Sequence, residues 1–183
     1  MVDKQEIRKL FKHWFYTDSA VFEINDDGTI SCEGSITTDY KFPGELPVKF
    51  KKFTGALFLT QANLHTLEGA PDYMDGDLRL RGNQLTNLIG APEVITGVFN
   101  IMQNPLTSLD GFPSRVGTVV LDDDPKLPML RLLTAQEIKI QGSRDPNYTV
   151  SKILNKYAGQ GEAGAFACGA ELASAGFKEN ARW

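Results

Sequence analysis

Histidine and cysteine are nearly missing from this chain, with two of each among 183 residues. His13 sits on the polar side of an N-terminal helical pattern and His65 in a repeat turn. A histidine acid/base pair or a zinc site would therefore have to be assembled across separate segments. Cys32 and Cys168 form no CxxC pair and no Cys/His group, which excludes a disulfide framework and fits a reducing compartment. Long apolar runs are missing as well: no stretch of about 18 apolar residues occurs, so no spanning helix is expected. The opening MVDKQEIRKLFKHWF lacks the charged, then apolar, then small-residue order of a secretory signal. A soluble intracellular protein without membrane contact is the expectation. Positive charge is not in excess either. The 19 basic and 23 acidic residues leave a net charge of −4, which argues against a phosphate backbone as partner. The phosphate-loop, dinucleotide-binding and nucleophile-elbow motifs are all absent, so neither an enzyme activity nor a cofactor is expected.

What the chain does have is one sentence written several times. GALFLTQANLHTLEGAP (55–71), GDLRLRGNQLTNLIGAP (76–92) and GVFNIMQNPLTSLDGFP (97–113) align without gaps, and a degenerate fourth unit starts at Gly117. Tandem units about 20 residues long mark a solenoid, because each is a supersecondary piece that cannot bury its apolar face alone. Ile36, Leu57, Leu78, Phe99 and Val119 fall in one column, and Thr38, Leu59, Leu80, Ile101 and Leu121 in the next but one. Ile138 and Ile140 follow in the same phase, giving about six rungs. The L-x-L pair alternates with period two, as a strand with one buried face requires. Asn83 and Asn104 fall where the chain leaves the strand, placed to bond backbone groups of adjacent rungs, whereas Ala62 and Asp124 interrupt this column. The later leucines, Leu64 and Leu67, Leu85 and Leu88, Leu106 and Leu109, are expected to point inward, and Gly-x-Pro to end each turn.

The expected fold is α/β: a short solenoid over residues 35–141, closed by an N-terminal helix and hairpin (1–34) and a C-terminal helical cap (142–183). Residues 3–16 read as an amphipathic helix with Asp3 as N-cap and Ile7, Leu10, Phe11 and Trp14 on one stripe. VFEI and TISC flank NDDG, the composition of a hairpin turn. SKILNKYA (151–158) and EAGAFACGAELASAG (162–176) read as two helices, the second covering the solenoid through Phe166, Ala170 and Ala173, with Gly176 at its C-terminal cap.

The pattern L-x-L-x-x-N-x-L resembles the leucine-rich repeat, and NQLTNL and NPLTSL resemble its short bacterial subtype. The Gly-Ala-Pro ending, the LPVKF segment before the first full unit, and the ILNKY and KENARW segments are similar to those of small leucine-rich-repeat-like proteins encoded by bacteriophages. That resemblance implies a protein acting in the cytoplasm of an infected bacterium, binding and inhibiting or redirecting a host protein such as a defence factor.

With the leucines inward, the residues between them face out on the concave side of the strands. The first such column is Ala56, Asp77, Val98 and Thr118; the second Phe58, Arg79, Asn100, Val120 and Lys139; the third Thr60, Arg81, Met102, Asp122 and Gln141. Aromatic, Met and Arg residues together are what interface centres favour. The candidate partner-binding residues are therefore Phe58, Thr60, Asp77, Arg79, Arg81, Val98, Asn100, Met102, Val120, Asp122 and Lys139. A host or phage protein is the expected partner; the alternative is a self-assembling structural or virion-associated protein, a homo-oligomer. KFKKF (49–53) interleaves basic and aromatic residues, as single-strand nucleic-acid binders do, and Lys49, Lys51 and Lys52 with Arg79 and Arg81 make such a binder the weaker alternative. The Asp122–Asp123–Asp124 run lacks the spacing of a Ca2+ loop, so no metal is expected.

Overall fold

The computed structural model describes residues 3–38, 41–143 and 145–183. Helix α1 spans Lys4–Trp14, and the Asp3 side chain accepts hydrogen bonds from the N–H groups of Gln5 and Glu6. It is shorter than the 3–16 expected from periodicity. Phe15 and Tyr16 leave it as a short strand, β1 (Phe15–Tyr16), which pairs antiparallel with β4 (Ile36–Thr38). The sheet register outweighs helix continuation there because Phe15 is then buried among Phe11, Phe42 and Phe50. The expected hairpin forms between β2 (Val21–Ile24) and β3 (Ile30–Glu33), with Gly28 at positive φ in its turn.

Strands β5 (Phe50–Phe58), β6 (Tyr73–Arg79), β7 (Val94–Asn100), β8 (Arg115–Asp122) and β9 (Ala135–Gln141) then stack in sequence order, every neighbour parallel. β3 pairs with the first half of β5 and β4 with its second half, so together they are a broken first rung. Six strand positions joined by five turns make a parallel solenoid. Ile36, Leu57, Leu78, Phe99, Val119 and Ile138 sit side by side, all buried. Burying a leucine-sized side chain stabilises by about 1.5–3 kcal/mol, so the column is the main adhesive of the stack.

A second column is made of glycine: Gly34, Gly55, Gly76, Gly97 and Gly117. The first three have φ of 110°, 117° and 144°. A side chain at Gly55 would run into the carbonyl of Gly34, one at Gly76 into that of Gly55, and one at Gly97 into that of Gly76. Rung thus lies on rung too closely for any Cβ, which explains why each unit opens on glycine.

The asparagine column works as its position suggests. The Asn83 amide donates to the carbonyls of Leu80 in its own rung and Leu59 in the preceding one, at 2.8 and 2.7 Å, and its Oδ1 accepts from Leu64 N–H. Asn104 repeats the arrangement with Leu80, Ile101 and Leu85. Of the turn leucines, all are buried except Leu106, which is half-buried because the next unit carries Asp124 and Lys126 where a repeat would place asparagine and leucine.

After β8 a short 3-10 helix, Leu130–Thr134, replaces the usual turn. Helices α2 (Thr149–Lys156) and α3 (Glu162–Ser174) close the far end. Asn155 of α2 donates to the carbonyl of Ile138 and accepts from its N–H, so its amide stands in for a neighbouring strand on the edge of β9. Gly176, at φ 94°, follows the end of α3, and Phe177 N–H bonds the Leu172 carbonyl across it. α3 packs against the 3-10 helix and α2, with Gly164, Cys168 and Leu172 buried. The stripe expected to cover the solenoid, Phe166, Ala170 and Ala173, is not the buried one: Phe166 is 90% exposed, Ala170 is exposed and Ala173 is half-buried. Small residues let either face of this helix approach closely, so composition alone did not select between them.

Candidate functional site

The parallel register brings the three outward columns together on one strand face. Phe58, Arg79, Asn100, Val120 and Lys139 are successive neighbours across β5 to β9. Ala56, Asp77, Val98, Thr118 and Glu137 flank them on one side, and Thr60, Arg81, Met102, Asp122 and Gln141 on the other. At the first rung the row continues through Thr37 to Tyr16, which is 51% exposed. Tyr16 and Phe58 line a shallow notch with Thr17, Asp18, Ser35, Ile36 and Thr37. Tyr16 carries no repeat signature, so repeat alignment could not have added it; only the pairing of β1 with β4 does.

The apolar members are more sheltered than isolated surface hydrophobes. Phe58, Val98, Met102 and Val120 are all half-buried, because strands about 4.8 Å apart shade one another's side chains. The most exposed hydrophobic residues, Phe166, Val21 and Ile89, lie off this face. The charged members hold one another in place. Arg79 bonds Asp77 at 2.7 Å and lies over the Phe58 ring at 5.7 Å, with its Nε buried and without a hydrogen-bond partner. Asp77 also accepts the N–H of Val98 in the next rung at 2.8 Å. At the far end Lys139 bonds Glu137 at 3.1 Å, and Thr118 donates to the same carboxylate. Hydrogen bonds from Lys139 and Thr118, in that order, hold Glu137 below the usual carboxylate range. Arg81 and Asp122 differ, since neither has an ion-pair partner among the described residues. The Arg81 Nε donates to the Gln103 side chain at 3.1 Å, and Asp122 accepts the Gln103 backbone N–H.

The other candidate chemistry resolves into structure. Phe50 and Phe53 are core residues, unavailable for stacking on bases, while Lys49 and Lys51 approach Glu68 and Asp27 at 3.6 Å. In the acidic run Asp124 accepts Lys126 N–H within its own turn. Among the described residues no group of three His, Cys, Asp or Glu side chains is placed to hold a metal ion, and no helix is long and apolar enough to cross a membrane. His13 and His65 are exposed and lie in separate elements. Both cysteines are buried, and desolvation pushes each thiol up to about 11. Since the thiolate is the nucleophile, both should react with Ellman's reagent at least about 100-fold more slowly than a free thiol until denaturant is added. Rapid labelling of either in the folded protein would contradict its assignment to the core.

No protein family, no curated protein and no solved structure matches the chain.

Proposed function

We propose that the protein is a non-enzymatic binding module whose strand face takes a protein partner. Following the resemblance of the repeats and terminal segments to phage proteins, the partner is a host bacterial protein that is inhibited or redirected. The observation that carries the reading is the in-register face itself. It sets Phe58, Val98, Met102 and Val120 beside Arg79 and Arg81 on a backbone held by the leucine and asparagine columns. A rigid surface loses little entropy on binding, and aromatic, Met and Arg side chains are the usual anchors of interface centres. The buried, basic thiols and the separated histidines leave this face as the main concentration of unspent chemistry.

The test is capture from bacterial lysate, read by mass spectrometry, with the wild type and with Phe58, Arg79, Arg81 and Met102 all changed to alanine. The variant should melt as a folded protein, because none of the four is in the core, and should lose a wild-type partner by about 100-fold or more in affinity. Undiminished capture by the folded variant places the binding surface elsewhere.

A further inference from the structure

The strand face is complementary to itself, and we infer that it pairs face to face with a second copy of this chain. The inference rests on the proposed use of this face for binding and names a partner that fits it.

A two-fold axis parallel to the strands and passing over β7 exchanges β6 with β8 and β5 with β9, while each column meets itself. Arg81 of β6's rung then lies opposite Asp122 of the second copy, and Asp122 opposite its Arg81, so the face's two charges without an ion-pair partner among the described residues find one another twice. They lie two rungs apart, about 10 Å between backbones, and within one chain each is held by Gln103 between them and not by the other. Met102 sits between them in the same column and meets its own copy on the axis. Phe58 lies opposite Lys139, a cation-over-ring arrangement, and Asp77 opposite Thr118. No like charges face each other. Rotating the copy instead about an axis across the strands, over the middle column, sets Arg79 against Arg79 and Lys139 against Lys139. Charge therefore selects the first arrangement and rejects the second.

The contact is an isologous one and closes at two copies. Five rungs about 4.8 Å apart and three columns about 7 Å apart cover roughly 20 by 14 Å. That size belongs to weak, transient complexes. Pairing of this kind covers the same residues that a different partner would use, so the dimer and a heterologous complex compete.

Sedimentation velocity of the full chain between about 10 µM and about 1 mM spans the range for a contact of this size. The mean mass should climb from one chain toward two with concentration and fall back with added salt. Arg81→Asp alone and Asp122→Arg alone should each weaken association at least tenfold, and the double exchange should restore it. Because Asp122 also holds a backbone N–H, Met102→Cys is a second arm: facing strand surfaces lie about 10 Å apart, too far for a disulfide, so with the native cysteines buried a short bismaleimide should link two chains through position 102. Arg115→Cys, on the other half of the rungs, should not link them. A monomer throughout the range, a double exchange that fails to restore association, or no crosslink at position 102 overturns self-pairing. A monomeric protein whose quadruple alanine variant still loses a captured partner leaves the binding face standing without the dimer. A dimer with no captured partner removes the host-protein reading alone.

Discussion

Gly76→Ala is expected to remove about 3–4 kcal/mol from the folding free energy, an effect of the size usually seen on emptying or overfilling a core. Two costs add. At φ 144° the backbone of Gly76 lies where a side chain is strongly disfavoured, and the added methyl would meet the carbonyl of Gly55 in the rung beneath. That carbonyl belongs to a residue which in turn lies against Gly34, so relief requires the whole column to separate. Gly142→Ala supplies the control. Its φ of 70° also favours glycine, but nothing lies within 4 Å of the new methyl, and the loss should be only about 1 kcal/mol. Denaturant titration of both variants decides the matter. Equal losses would show that local strain, and not the approach of rung to rung, is why glycine stands in this column.

The repetition that made the fold legible is also what limited the reading of the site. Near-equal spacing of Leu57, Leu78, Phe99 and Val119 demands parallel neighbours, and once rungs are in register every outward column follows. What broke the repeat was illegible. Phe15 and Tyr16 continue a helical pattern, and only pairing with β4 draws them into the sheet beside Phe58. The α3 stripe misled because alanine and glycine carry little information on which face is covered. The asparagine column was visibly interrupted at Asp124, but how the chain secures this turn was not visible. Asn180, buried like Asn83, donates its amide to the carbonyls of Asp124 and Leu127, while Met129 N–H bonds the Asn180 carbonyl. These are not the Leu121 and Ile101 carbonyls that an asparagine at 124 would meet, so a residue more than fifty positions away ties down the fourth turn in its own way, and no local pattern announces that.

The same physics makes Asn83 the most demanding position on the stack. It is 2% exposed, and its side chain satisfies two carbonyls and one N–H belonging to two rungs. Asn83→Ala should cost about 3 kcal/mol, since each buried group left without a partner loses about 1–3 kcal/mol, offset in part where water enters. Asn83→Asp tests the cause more sharply, because it keeps the shape and changes only the donor. The carboxylate can still accept from Leu64 N–H, but it sets negative charge against the carbonyls of Leu59 and Leu80 in a dry site. Burial and those two oxygens both disfavour ionisation, so the folded-state pKa of the introduced acid is raised above its unfolded value of about 3.9. With a raised folded pKa, stability is fully present below the unfolded value and is lost as pH rises through the folded one. Asn83→Asp should therefore be less stable than Asn83→Ala at neutral pH and recover as the solution is acidified, when the protonated acid donates to one carbonyl. Measuring the difference in denaturation midpoint between this variant and the wild type at several pH values isolates the effect from general acid destabilisation. A pH-independent difference would mean that packing, and not the amide's two donated hydrogen bonds, is what the asparagine column supplies.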